Sequence, residues 1–184
     1  MYSLRQIIPA VLLTSLLTAM TAVAQEMPAG PPEEMKKLAF LEGEWDAAME
    51  WKMSDTVETW TKSAGVCRYH YILNGAVMQM EFTSLDTLMP FVGLSLECFD
   101  RETGQWQTIW IDNLGSRMTL LTGIRGDGKA VFTGQDRWQG QTFLSRTSTF
   151  DETDTSFNWT VEMSTDGGKT WITNGKATYT KKMK

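Results

Sequence analysis

The stretch "YILNGAVMQMEF", Tyr71 to Phe82, decides the fold. After its turn, apolar and polar residues alternate: Ala76, Met78, Met80 and Phe82 take one face of an extended strand, and Gln79, Glu81 and Thr83 take the other. A period of two marks a strand with one buried face. Asn74–Gly75 is a strong hairpin signal, because both residues tolerate the positive φ that a two-residue turn demands. So short a turn forces its flanking strands to pair antiparallel. The stretch therefore predicts a hairpin between strands at 57–73 and 76–86, joined by two residues.

The same texture extends both ways. Runs rich in Val, Ile, Thr, Tyr, Phe and Trp alternate with Gly, Asn and Asp turns, and none sustains a helical period. Further strands are expected at 44–52, 91–99, 106–113, 117–124, 129–136, 141–150, 156–164 and 170–180, ten with the first pair. "DRETGQ", "RGDGK", "WQGQ" and "STDGGK" supply the tight turns. Ten meandering strands leave two open edges unless the sheet closes, so the pattern predicts an all-β antiparallel barrel. Val92, Leu94, Leu96 and Cys98 form an apolar face in the fourth strand, and Phe157, Trp159, Val161 and Met163 one in the ninth. In the fifth, Asp112 shares a face with Trp106 and Trp110. It is either a polar group in a cavity or a strand-end carboxylate bonded to turn N–H groups.

Upstream, "PPEEMKKLAFLEGEW" reads as one short helix capping an end of the barrel. Pro32 suits its first position, Glu33 and Glu34 the positive end of its dipole, and Gly43 a left-handed stop. Met35, Leu38 and Leu41 give it an apolar face. Residues 1–24 read as a signal peptide: one charge at Arg5, an uncharged apolar run, and Ala22 and Ala24 around Val23 as the cleavage signal. The run is shorter than the ~20 residues of a bilayer span. Residues 25–32 form a Pro/Gly linker, and 33–184 one domain. The expectation is an exported, soluble, periplasmic or secreted protein with no membrane span after processing. Cleavage would leave 160 of the 184 residues and move the net charge from −5 to about −6, since Arg5 is lost. Such acidity argues against nucleic acid and anionic membranes as partners.

The inventory disfavours most chemistry. The single histidine, His70, alternates with Val66, Arg68 and Ile72, opposite Cys67, Tyr69, Tyr71 and Leu73, so it belongs on the outside. A Cys67–His70 dyad would point to opposite faces. One His and two Cys do not make a zinc site, and no nucleophile-elbow motif occurs. No metal, cofactor or catalytic residue is assigned. Carboxylate chemistry stays open, because pairing in space is invisible in sequence. Cys67 and Cys98 fall two strands apart, about 10 Å by strand spacing, so both are expected as free thiols. "RGD" at Arg125–Asp127 reads as a plain hairpin turn. "STDGGKTW", Ser164 to Trp171, has the form of the aspartate box of sialidase propellers. It occurs once where a propeller repeats it in every blade. Ser164, Asp166, Gly168 and Trp171 therefore read as a structural turn.

Four segments carry a resemblance: "LAFLEGEWD", "YILNGAVMQMEF", "CFDRETGQWQTIWIDNLGSRM" and "EMSTDGGKTWITNGKATYTKK". Together, over roughly Lys36 to Lys182, the chain resembles the exported bacterial family of domain of unknown function 1579. Its Gly43-Glu44-Trp45 also resembles the G-x-W that opens the lipocalins and other calycin barrels, where the Trp packs across the closed end. The resemblance implies a ten-stranded calycin-like barrel outside the cytoplasm, with no established activity. The nitrobindin-like haem barrels extend this motif with glycines. Here Asp46, Ala47 and Ala48 follow Trp45, and haem is not expected. By analogy with calycins the interior would bind a small apolar or amphipathic ligand, walled by Trp45, Tyr69, Tyr71, Met80, Trp110 and Asp112. The alternatives are an enzyme using cavity carboxylates or tyrosines, and a filled barrel serving as a structural or interaction module.

Overall fold

The computed structural model describes residues 30–52, 58–87 and 90–183. The expected signal peptide and most of the expected linker lie outside them. Ten strands follow one another: β1 (Gly43–Trp51), β2 (Thr61–Ile72), β3 (Val77–Ser84), β4 (Val92–Asp100), β5 (Gln105–Asp112), β6 (Thr119–Gly126), β7 (Lys129–Trp138), β8 (Gln141–Phe150), β9 (Ser156–Ser164) and β10 (Ile172–Lys181). Each pairs antiparallel with the next, and β1 pairs with β10 to close the barrel.

Local corrections are instructive. The Asn74–Gly75 hairpin closes with four residues, because the last pair is Ile72 with Val77 and the chain makes a 3-10 turn between them. Leu73 and Asn74 take positive φ beside Gly75. The two-residue form occurs instead at Asp127–Gly128 and Gln139–Gly140, where all four residues have positive φ. The N-terminal helix, Glu33–Leu41, is 3-10 throughout. Its apolar residues Met35, Leu38 and Leu41 stand three apart, and three residues per turn line them up on one buried face. Pro32 caps this helix from outside instead of taking its first position, whereas Gly43, directly after the C-cap Glu42, takes a positive φ and then opens β1.

Register fixes which side chains point inward. Trp45 faces Cys67 and Lys181, Tyr69 faces Met80, and Met80 faces Ser95. Carried around the barrel, this places Gly93, Ser95, Glu97 and Phe99 on the inner face of β4. The apolar set Val92, Leu94, Leu96 and Cys98 faces out, the reverse of a buried apolar face. Leu94 and Leu96 stand beside Ile111 and Ile109 on the outer wall. Alternation shows that two faces differ without saying which is inside. In β4 a tryptophan settles the matter: a Cβ on Gly93 would lie 2.3 Å from the Trp110 ring. Phe82 covers Gly65 and Trp51 covers Gly175 in the same way. The barrel thus holds large rings by removing the side chains beneath them.

Candidate functional site

The helix end of the barrel is a sealed floor. Trp45 has 0% exposure. Its indole N–H donates to the Leu41 carbonyl at 2.7 Å. Its ring meets Tyr69 and Phe157 edge-on. Phe157 stacks on Tyr179 at 4.4 Å between centroids. The Tyr71 hydroxyl donates to the Met35 carbonyl at 2.6 Å, holding the helix against the rim. Trp45 and Tyr71 therefore build the floor. Tyr69 and Met80 lie further in.

Above the floor the inward side chains are less completely covered. Tyr69, Met80, Ser95, Thr108, Thr147 and Val161 point inward well inside their strands, yet each keeps accessible surface. A barrel of about eight strands can be filled by its own side chains, and ten strands enclose more room. Tyr69 sits so deep that burial raises its hydroxyl pKa well above the ordinary value. Met80, Trp159 and Val161 contribute apolar surface, and beside Met80 the Ser95 and Thr108 hydroxyls stand 3.2 Å apart.

At the polar side of the floor stands a charge cluster. Arg125, at 4% side-chain exposure, lies between Glu97 at 14% and Glu152 at 8%. Its Nε donates to Glu97 Oε1 at 2.9 Å and its Nη1 to Glu152 Oε1 at 2.5 Å. The Thr149 hydroxyl donates to that same Glu152 oxygen at 2.5 Å. The guanidinium also lies 5.8 Å from the Trp106 ring centre. Burial pushes the Glu97 carboxyl up, and Arg125 only partly opposes it. Glu97 comes from β4, Arg125 from the end of β6, and Glu152 from the turn after β8. None of the three was singled out from sequence as a site residue. Arg125 is the arginine of the RGD triplet, and its burial removes it from any surface role. The signal for Glu97 was a carboxylate in an otherwise apolar strand, masked by the assumption that the apolar face is the inner one.

The other end carries Trp110 and Asp112. The Trp110 indole N–H donates to Asp112 Oδ2 at 2.8 Å, and the N–H groups of Leu114 and Gly115 donate to Oδ1 at 2.9 and 2.7 Å. Asp112 thus fastens the turn and orients Trp110, which packs near Phe82. Nearby, Arg117 makes a two-pronged contact with Asp136 at 3.1 and 2.9 Å. A shallow surface groove of about 330 Å³ includes this pair with Arg137 and Thr142.

The box turn also lies at this end. Asp166 accepts from the Ser164 and Thr170 hydroxyls and the Lys169 and Thr170 N–H groups, and Ser164 Oγ accepts from the Gly168 N–H. The Trp171 indole donates to the Gly168 carbonyl at 3.0 Å, with Arg146 over its ring at 4.1 Å. These bonds hold the Asp166 carboxyl far below the usual range. Cys67 and Cys98 are unpaired, and burial pushes the Cys67 thiol up to about 12. His70 lies on the outer face opposite Gln79, its Nδ1 shielded and without a partner among the described residues. No described helix is long and apolar enough to cross a membrane.

A family model described as "Protein of unknown function (DUF1579)" matches residues 30–181. The crystal structure of Rv2717c from M. tuberculosis is similar, with a TM-score of 0.60 at 11% identity over 83% of this chain and 99% of that one. At that identity the likeness is one of fold. No curated protein matches the chain.

Proposed function

The chain belongs to the DUF1579 family of proteins of unknown function, and from that premise we propose that its barrel is an exported binder of a small apolar or amphipathic molecule. One observation carries the reading: inward side chains such as Met80, Ser95 and Thr108 keep accessible surface above a floor sealed by Trp45. Apolar and aromatic walls with a few converging polar groups are the usual make-up of a small-molecule site. The opening G-x-W supports a calycin-like use of this interior. Export is supported by Arg5, the apolar run and the Ala22-Val23-Ala24 cleavage signal.

Native mass spectrometry of the protein purified from its own host tests the reading. A stoichiometric bound molecule, displaced when Met80→Trp fills the interior, is the expected result. A barrel that is empty in repeated preparations overturns it in favour of a filled structural module. The mass of the processed chain in the same experiment should begin at Gln25.

A second reading has its own support. Glu97 is a cavity carboxyl raised by burial with a second carboxyl across Arg125, an arrangement suited to general acid catalysis. Turnover of a chromogenic ester or glycoside that disappears in Glu97→Gln would favour it over simple binding.

A further inference from the structure

Resting on the cavity reading, we infer that the interior selects a ligand with a cationic, hydrogen-donating head, a protonated amine on an apolar body, and seats that head against Glu97. The charge count at the floor points this way. With Glu97 ionised, two carboxylates surround one guanidinium, so the cluster is short of a cation. Three of the five Arg125 N–H donors already serve these carboxylates, Nε and Nη2 toward Glu97 and Nη1 toward Glu152, and its face lies toward Trp106. A carboxylate-headed ligand would bring a third negative charge beside the other two. An amine does the reverse.

The two carboxylates also differ in what they have left to offer. Glu152 Oε1 already takes donors from Arg125 and Thr149. Glu97 is the more accessible of the pair, and among the described residues its Oε2 makes a long contact of 3.4 Å to Arg125. That oxygen keeps lone-pair capacity. The Ser95 and Thr108 hydroxyls stand on the adjacent inward positions. Tyr69 and Trp106 bring aromatic rings to the same end, and ring faces attract cations. An amine taken out of water needs this combination of a charged acceptor and further polar contacts.

The test is a tryptophan-fluorescence titration with decylamine, decanol and decanoate at neutral pH, each below micelle-forming concentrations. Decylamine should bind about tenfold more tightly than decanoate, the scale of one pKa unit of differential interaction. Glu97→Gln should weaken decylamine by a similar factor and leave decanol unchanged, and decanol binding shows that the variant still folds. Decanoate binding as tightly as decylamine, or Glu97→Gln leaving decylamine untouched, overturns the inference while the cavity survives. Failure of all three to bind overturns the cavity reading and the inference with it.

Discussion

Two carboxylates at opposite ends of the barrel have been moved in opposite directions. Asp166, in the turn between β9 and β10, is held far below its ordinary range by hydroxyl and N–H donors within four positions of it. Glu97, in the floor, is raised by burial although a guanidinium lies 2.9 Å away. Exposed donors stabilise a charge without removing it from water, whereas an ion pair inside the barrel must first offset the desolvation of both partners. The turn is one local unit. The floor is assembled from residues 27 and 28 positions apart.

The largest test of that contrast is Arg125→Met. It leaves two carboxylates at the floor with no cation between them, and unfolding in urea at pH 7 should show a loss of about 3–5 kcal/mol. Adding Glu97→Gln and Glu152→Gln should recover most of it, because the penalty lies in the orphaned charges. A loss below about 1 kcal/mol would be that of a solvated surface pair, and the contrast between the two ends would collapse. Next in size is Thr149→Val, which deletes the hydroxyl donor to Glu152. A hydrogen bond to a charged group contributes about 1.5–3 kcal/mol, and the same urea experiment should resolve it.

The contrast also explains what could be read from the chain. The meander was legible because each turn joins neighbouring strands, and closure followed from the need to cover two edges. The box was legible because Ser164, Asp166, Gly168 and Trp171 are sequence neighbours. Asp112 was legible in part: its turn N–H partners lie two and three residues on, which is one of the two readings the sequence left open. The floor was not: nothing within a few residues of Arg125 names Glu97 or Glu152 as its partner. The inner face of β4 was misread for a related reason. Val92, Leu94 and Leu96 look like core, but barrel closure gives the interior to Ser95 and Glu97 and leaves the leucines beside Ile109 and Ile111 outside. The six residues proposed as cavity wall divide accordingly. Tyr69 and Met80 stand toward the interior, Trp45 and Tyr71 make its floor, and Trp110 and Asp112 make its rim.

The slope of stability against pH separates the two carboxylates further. Glu97 has a raised pKa, so the folded state keeps its proton to higher pH than the unfolded chain. Its contribution therefore weakens as pH rises from about 4.3 toward the folded value. Asp166 has a lowered pKa, so its contribution is complete above about 3.9 and disappears as pH falls toward the folded value. Glu97→Gln should flatten the first slope alone and Asp166→Asn the second alone. Urea unfolding measured from pH 3 to pH 8 reads both. A single substitution that altered both slopes would show the ends to be coupled through the barrel.

The smallest effect is expected from Asp166→Ala. The carboxylate is exposed and its partners are local, so its loss should lower the melting temperature modestly and loosen only the corner between β9 and β10. Ser164 is 2% exposed and its hydroxyl still accepts the Gly168 N–H. Trp171 keeps its own bond to the Gly168 carbonyl and its stack under Arg146. Decanol affinity should then stay within about threefold of the parent, as befits sites that share no partner. A larger change would make the box part of the entrance to the interior. It would also restore a functional meaning to a motif whose geometry here is that of a turn.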